Sequence, residues 1–189
     1  MNLKLLFETQ KKLKEKIGYN EPDRFHKLVL AFLVELGECA NEYRGFKFWS
    51  KNQQPRTKAV RTPAMMEEDK EYYNPLLEEY VDGLHFAIEL CMDLGISERQ
   101  LNLFIKYRKK TIGSLEYHFG VIYYNASSLM GYNNYTQTEN SFRTYKMRAI
   151  SIFNAYVGLG SRLGFTWDEI EQAYFKKNEV NHKRQDSGY

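Results

Sequence analysis

Cysteine, proline and long apolar runs are all scarce in this chain of 189 residues. Two cysteines, Cys39 and Cys91, are too few for a disulfide framework; we expect both to be buried in helices within a reducing compartment. No apolar run reaches the roughly 18 residues of a membrane span, and residues 1–17 lack the apolar core of a signal peptide. We therefore expect cytoplasmic residence. The net charge of +3 is too small to favour direct nucleic-acid binding.

Apolar residues recur at helical spacing through most of the chain. Together with capping signals, this spacing predicts helices over residues 3–17, 24–43, 75–94, 140–162 and two more beginning near 98 and 167. Gly18 and Gly45 are placed to end the first two helices, and Asn74-Pro75 is placed to begin the third. Residues 50–66 contain two prolines and no period, so we predict a loop there. Without a series of strands, the sequence predicts an all-α helical bundle.

Residues 113–137 interrupt this pattern. They are rich in tyrosine, asparagine, serine and glycine and show no clean period of 3.6 or 2, so we expect short strands or a turn of helix. Such a composition resembles a recognition surface more than a core. We therefore expect one domain over residues 1–189, with 113–137 either a family-variable insertion or a segment that binds a protein partner.

Two stretches carry acidic pairs beside an apolar stripe. Glu35 and Glu38 stand three residues apart in the second predicted helix, and Glu79 and Asp82 stand three apart in the third. Residues three apart lie on one helix face, so four carboxylates would converge if the two faces packed together. Oxygen ligands of this kind suit Mg²⁺, which also binds substrate phosphates. Two solvated surface helices would show the same spacing, and both interpretations remain open at this point.

Basic and amide side chains are spaced along the C-terminal segment. A helix would align Lys177, Asn181 and Arg184 on one face, where an ammonium, an amide and a guanidinium together fit phosphate oxygens. A frayed basic tail is the alternative. Beside the acidic pairs, this motif predicts Mg²⁺-dependent handling of a phosphorylated ligand.

Three further side chains are candidates for contact with a base. Trp49 could stack on a base or belong to the core. His85 follows Asp82 by about one turn; it is either a structural histidine or a support that is hydrogen-bonded to a carboxylate, since an imidazole is a poor first ligand to Mg²⁺. Gln10 carries a donor and an acceptor on one amide, which can pair with a nucleobase edge or simply be solvated.

Five segments, in order along nearly the whole chain, resemble the dimeric all-α dUTPases of the MazG-like nucleotide pyrophosphohydrolase superfamily. They are ELGECANE, FKFW, EEYVDGLHF, GFTWDEIEQAY and KKNEVNHKRQDSGY. The acidic pairs are shared across that superfamily, whereas the C-terminal K-x-x-x-N-x-x-R before Gly-Tyr is more specific to the dUTPases. The resemblance implies a homodimer that hydrolyses dUTP, and dUDP as well, to dUMP, with two or more Mg²⁺ ions per site. Such an activity prevents the incorporation of uracil into DNA.

The resemblance also assigns roles by position. The implied metal ligands are Glu35, Glu38, Glu79 and Asp82. Of these, Glu35 or Glu38 would orient or deprotonate the attacking water. The implied phosphate-binding residues are Lys177, Asn181 and Arg184. The implied base and sugar residues are Gln10, Lys47, Trp49 and His85. A pyrophosphohydrolase for another nucleotide, such as dCTP, and a regulatory protein acting through 113–137 are the alternatives.

Overall fold

The computed structural model describes residues 2–62, 65–106, 112–133 and 138–188. These residues form seven α-helices and one two-stranded hairpin, which confirms the predicted all-α class. The helices are α1 (Leu3–Ile17), α2 (Arg24–Tyr43), α3 (Pro75–Asp93), α4 (Glu98–Lys106), α5 (Leu115–Ser127), α6 (Glu139–Arg162) and α7 (Trp167–Asp186). The strands are β1 (Ala59–Thr62) and β2 (Glu71–Tyr73).

Local capping interactions explain where the helices begin. The Asn74 side chain accepts a hydrogen bond from the backbone N–H of Leu77 over 3.1 Å, so α3 begins at the following proline as predicted. Thr166 and Glu169 form a reciprocal capping box at the start of α7. These contacts span only three residues, which is why the sequence reveals them.

The end of α2 differs from the prediction. Gly18 adopts a left-handed conformation and ends α1 as expected, but Arg44, and not Gly45, takes that conformation after α2 (φ 64°). The Arg44 N–H donates to the carbonyl of Ala40 over 3.1 Å, and its guanidinium donates to the carbonyl of Asn52 over 2.9 Å. These bonds offset the cost of a left-handed backbone in a residue with a Cβ.

Helix α3 lies at the centre of the bundle and contacts α1, α2, α6 and α7. Gly83 and Gly160 allow α3 and α6 to pack closely. A Cβ added at Gly83 would lie 2.0 Å from the Tyr156 hydroxyl, and one added at Gly160 would lie 2.5 Å from the Tyr80 hydroxyl. Cys39 and Cys91 are buried in α2 and α3, as predicted, and form no disulfide. None of the described helices is long and apolar enough to cross a membrane.

The stretch 113–137 is more regular than predicted. Its residues 115–127 form helix α5, which packs against both α2 and α6, whereas residues 134–137 lie outside the described part of the chain. Phe119 and Ile122 are buried in the core, and the Nε2–H of His118 donates to the carbonyl of Ala155 over 2.8 Å. The expectation of short strands or a turn of helix therefore missed α5, although residues 128–131 do form one turn of 3-10 helix. Two packing partners on different sides spread the apolar residues around α5, which hides the helical period.

The predicted loop 50–66 contains the first strand of the hairpin. Ala59 pairs with Tyr73 and Val60 with Tyr72 in antiparallel register. The Arg61 guanidinium donates to the Glu78 carboxylate over 2.5 Å, which ties the hairpin to the first turns of α3. A short strand depends on its partner more than on its own pattern, so the sequence alone did not predict it.

Candidate active site

Three acidic side chains from α2 and α3 meet where the two helices pack. Carboxylate oxygens of Glu35, Glu79 and Asp82 all lie within 4.8 Å of one another. Glu38, one turn after Glu35 on α2, is exposed and lies outside this group. The packing of α2 against α3 thus brings three of the four predicted carboxylates together and leaves the fourth at the rim.

Crowding makes these carboxylates hard to ionise in the absence of a cation. Burial, followed by the charges of Asp82 and Glu38, raises the pKa of Glu35 to about 7. Burial and the same two charges, with a smaller contribution from Glu35, raise the pKa of Glu79 to about 8. Burial also raises the pKa of Asp82, although Lys177 opposes this shift. A positive charge placed among them would reverse these shifts.

The donor set fits a divalent cation. Oε2 of Glu35 is buried and has no hydrogen-bond partner among the described residues. A buried carboxylate oxygen without a partner is costly, and a metal ion is one group that would satisfy it. Three carboxylates supply hard oxygen ligands of the kind that Mg²⁺ and Ca²⁺ prefer, and there is no thiolate among them.

The ammonium of Lys177 joins the acidic cluster to a second pair of charges. It donates to Asp82 over 2.5 Å and to Glu78 over 3.3 Å. Glu78 in turn accepts from Arg61 of the hairpin. Burial lowers the pKa of Lys177, but Asp82 and Glu78 together more than compensate, so its net pKa is raised and it remains an ammonium.

The C-terminal segment is an ordered helix. Helix α7 continues to Asp186, so Lys177, Asn181 and Arg184 lie four and three residues apart on one helical face. Lys177 and Asn181 are partly buried, and Arg184 is exposed. The alternative of a frayed tail does not hold for the described residues of this segment.

A cleft of about 190 Å³ brings most of the predicted site residues together. Those that line it are Gln10, Glu35, Asp82, His85, Lys177, Asn181 and Arg184. A second cavity of about 400 Å³ lies between the hairpin, α3 and α7, and it shares Lys177 and Arg184 with the cleft. Two members of the acidic cluster, Glu35 and Asp82, and the basic face of α7 thus line one cleft.

Gln10 and His85 form a buried wall of this cleft. Gln10 is only 2% exposed, so the sequence alternative of a solvated glutamine is wrong. Its amide oxygen lies 2.7 Å from Nδ1 of His85 and accepts from the Tyr174 hydroxyl over 2.9 Å. The His85 ring stacks on Tyr174 with 3.8 Å between centroids. Burial, followed by the charge of Lys177, lowers the pKa of His85 to about 3, so this imidazole is neutral.

Lys47 and Trp49 are not part of the cleft lining. They lie in the turn after α2, where Lys47 donates to the side chain of Asn41 and Trp49 is 66% exposed. Trp49 packs edge-on against Phe46 and Phe48, which gives this turn an exposed aromatic surface. Their predicted contact with the base stays a prediction.

Sequence reasoning missed a buried carboxylate beside the cleft. Glu89 is 6% exposed, accepts from the Gln10 amide over 2.7 Å and pairs with Arg24. A signal was present, because Glu89 follows His85 by four residues and Asp82 by seven, and these spacings place all three on one face of α3. Only the packing of α1 against α3 shows that Gln10 is the partner.

Comparison with known proteins identifies the family of the chain. A family model described as dUTPase matches residues 2–63 and 66–189 of the chain. The match runs through both acidic pairs, the segment 113–137 and α7. A search of curated protein sequences found no match. Because the family match spans almost every residue, the chain belongs to the all-α dUTPase family, and this membership implies dUTP diphosphatase activity.

Proposed function

We propose that this protein hydrolyses dUTP, and dUDP as well, to dUMP in the cleft between α1, α3 and α7, with Mg²⁺ as cofactor. The observation that carries the proposal is the meeting of two complementary surfaces. Three carboxylates lie within 4.8 Å of one another, and Lys177 joins them to the basic face of α7. A nucleoside polyphosphate with bound Mg²⁺ has both the positive and the negative groups that this cleft would bind.

The metal ligands in this proposal are Glu35, Glu79 and Asp82, with Glu38 joining from the rim of the cluster. We propose two or more Mg²⁺ ions per site. Bound Mg²⁺ would polarise the phosphate oxygens and neutralise the charge that develops on them. The cation would also lower the raised pKa values of Glu35 and Glu79, so that both carboxylates ionise at neutral pH.

The residues of α7 hold the phosphates. Lys177 contributes a compact charge, Asn181 an amide donor and Arg184 a planar fork of donors. In the structure Lys177 donates to Asp82 and Glu78, and a phosphate oxygen would be a competing acceptor. Glu35 or Glu38 orients the attacking water and accepts its proton.

In this proposal the base lies against Gln10 and His85, which are buried residues of the cleft lining. Lys47 and Trp49 would have to reach the base from outside the cleft. We also propose that the protein is a homodimer and resides in the cytoplasm.

A nucleotide panel tests this function. The protein is incubated with Mg²⁺ and dUTP, dUDP, dTTP, dCTP, UTP or dATP, and the monophosphate and the pyrophosphate or phosphate released are quantified. We expect dUTP to be hydrolysed at least about 10²-fold more efficiently than the other triphosphates, because buried polar groups left unpaired by the wrong base are costly. EDTA should abolish the activity. Asp82→Asn, which removes one charged ligand at constant shape, should lower turnover about 10²-fold or more.

A matched control is Asp168→Asn, a change of the same type at an exposed position in the first turn of α7. It should retain full turnover. Equal hydrolysis of several triphosphates would instead indicate a broad pyrophosphohydrolase, and preferential hydrolysis of dCTP would support the alternative substrate. If no nucleotide were hydrolysed, the enzymatic proposal would be wrong.

The regulatory role through residues 113–137 stays a prediction. Tyr117 and Tyr124 on α5 are 61% and 77% exposed, so part of the stretch remains available for contact while its other face packs in the core.

A further inference from the structure

The Lys177 ammonium lies between two carboxylates of α3 that line different spaces. Asp82 lines the cleft, whereas Glu78, four residues earlier on the same helix, lines the second cavity. Lys177 lines both, and it donates to Asp82 over 2.5 Å and to Glu78 over 3.3 Å. The three side chains are only 14–23% exposed. The ammonium therefore lies at the border between the cleft and the second cavity.

The hairpin supplies a second cation to Glu78. Oε1 of Glu78 accepts a hydrogen bond from Lys177, and Oε2 accepts one from the Arg61 guanidinium over 2.5 Å. Each oxygen of the carboxylate thus has its own cation. Because Arg61 holds one oxygen, the other stays on the side of Lys177, and the carboxylate cannot turn away without losing a charge-assisted hydrogen bond.

A β-bulge directs Arg61 towards α3. Between the paired positions of Val60 and Thr62, β1 has one residue more than β2, and this extra residue is Arg61. A bulge changes the direction in which its strand presents a side chain. The Arg61 guanidinium lies over the Tyr73 ring, 4.3 Å from the ring centroid, and from there it reaches Glu78. The local shape of the hairpin thus fixes the position of the Glu78 carboxylate.

Lys177 keeps one N–H donor for a ligand. An ammonium has three such donors, and Asp82 and Glu78 are its two acceptors among the described residues. A lysine side chain is long and flexible, so a free ammonium would lose much conformational freedom on binding a phosphate. Its two carboxylate partners remove part of that freedom in advance. Asp82 is also a proposed ligand of Mg²⁺, so Glu78 is the carboxylate that is left to hold Lys177 when the cation is bound.

We propose that Glu78 is a positioning residue that holds the Lys177 ammonium where the phosphates of the nucleotide bind, and that Arg61 holds Glu78 in turn. Glu78 acts through Lys177 and does not touch the nucleotide. The hairpin therefore contributes to phosphate binding, although it contains none of the predicted site residues. This inference rests on the proposed function, because it requires Lys177 to bind a phosphate.

The charge of Glu78 by itself predicts the opposite effect. Glu78→Gln removes a negative charge from beside the cleft, and this loss alone should strengthen the binding of an anionic nucleotide. If Glu78 positions Lys177, the same substitution should weaken binding, because a neutral amide holds an ammonium less firmly than a carboxylate does. The direction of the change in affinity therefore distinguishes a positioning role from a general effect of charge.

Glu71 provides the matched control. It lines the same cavity as Glu78, and its carboxylate lies 4.0 Å from Arg61 and 3.8 Å from Lys176, but it forms no ion pair with Lys177. Glu71→Gln therefore removes an equal charge from the same wall without releasing the ammonium. Its affinity for the nucleotide should be unchanged or slightly higher.

The test measures by titration calorimetry, in Mg²⁺, the affinity of each protein for α,β-imido-dUTP, a non-hydrolysable analogue. We expect Glu78→Gln to weaken binding about 5-fold or more, and Glu71→Gln to weaken it by less than about 2-fold. Equal or tighter binding by Glu78→Gln would overturn the proposal. A wild-type protein that neither binds the analogue nor hydrolyses dUTP would instead overturn the proposed function.

Two further variants show whether Glu78 acts through Lys177. Glu78→Asp keeps the negative charge but shortens the side chain by one CH₂ group, so binding should weaken although the charge is unchanged. In a Lys177→Gln background, Glu78→Gln should cause no additional loss of affinity, because the group that it positions is already absent. Wild-type affinity in Glu78→Asp, or an equal loss from Glu78→Gln with and without Lys177, would overturn the proposal.

Discussion

The side chains of Tyr80 and Tyr156 each donate to the backbone carbonyl of the other residue. The Tyr80 hydroxyl lies 3.2 Å from the Tyr156 carbonyl oxygen, and the Tyr156 hydroxyl lies 2.8 Å from the Tyr80 carbonyl oxygen. The two rings stack with 4.9 Å between centroids and 11° between planes. This pair holds α3 against α6, and Tyr80 lies in the same turn of α3 as Glu79 and Asp82.

The first prediction concerns the glycines that allow this pair. Gly160→Ala places a Cβ 2.5 Å from the Tyr80 hydroxyl, and overpacking of this kind should lower the free energy of unfolding by about 1–3 kcal/mol. Gly120→Ala is the control, since no atom beyond the neighbouring backbone of α5 lies within 4 Å of its Cβ position. Alanine there should be neutral or stabilise by up to about 1 kcal/mol. Chemical denaturation measures both. Equal stability of the two variants would contradict the close approach of α3 and α6.

The second prediction separates the two acidic residues of α2. Glu35 lies within the carboxylate group and Glu38 lies outside it. Glu35→Gln should therefore weaken Mg²⁺ binding about 10-fold or more, a loss of the size seen when groups at a metal site are removed. Glu38→Gln should bind Mg²⁺ more nearly like the wild type and lose chiefly turnover. Titration calorimetry with Mg²⁺ and steady-state kinetics distinguish the two effects, and identical Mg²⁺ affinities in both variants would contradict the geometry.

A third prediction follows from the raised pKa values of Glu35 and Glu79. Their pKa values in the folded protein are about 7 and about 8, against an ordinary value of 4.5, so between pH 4.5 and 8 the folded state binds more protons than the unfolded state. The free energy of unfolding of the metal-free protein should therefore fall as the pH rises through this window. Saturating Mg²⁺ should reverse that fall by binding the ionised carboxylates.

Thermal unfolding in EDTA from pH 5 to 8.5 measures this effect. Glu79→Gln is the matched variant, because it removes the group with the higher pKa at constant shape. Its pH dependence should be flatter than that of the wild type. Parallel curves for the two proteins would show that this carboxylate is not destabilising when ionised.

The fourth prediction concerns the end of α7. Deletion of residues 180–189 removes Asn181 and Arg184 but none of the buried side chains among the described residues. Stability should change by about 1 kcal/mol or less, because the deletion removes mainly the surface interactions of Lys16 with His182 and Asp186. Activity and affinity for dUTP should collapse. Deletion of residues 187–189 alone is the control, and unfolding of the longer truncation would mean that this end of α7 is structural.

The fifth prediction concerns assembly. Leu30 and Val34 lie four residues apart on α2 and are 55% and 49% exposed, an apolar pair that a second subunit would cover. Light scattering at micromolar concentration should give twice the 22.4 kDa of one chain. Leu30→Lys should weaken the dimer about 10-fold or more, whereas Leu103→Lys on α4, 60% exposed, should leave it intact. A wild-type monomer would refute the proposed homodimer.

Much of the fold could be predicted because its signals are local. The bounds of α1 and α2, the cap at Asn74 and the capping box at Thr166 each depend on residues within a turn or two of one another. The spacing of the acidic and basic residues also identified helix faces that line the cleft, since the spacing of residues along a helix determines the direction in which their side chains point. The irregular apolar pattern of α5 and the strand at Ala59 escaped prediction because each depends on neighbours distant in sequence.

The sequence by itself determined which side chains were available for chemistry: acidic pairs on two helices, a basic face at the end of the chain and a glutamine near its beginning. Only the tertiary structure decided which of them meet. It joined Lys177 to Asp82 and left Glu38 at the rim. It also buried Gln10 between Glu89 and His85, which are more than 70 residues away in the chain. Helical periodicity sets the direction of a side chain, but its partner depends on the packing of whole helices, and a local pattern carries no record of that packing.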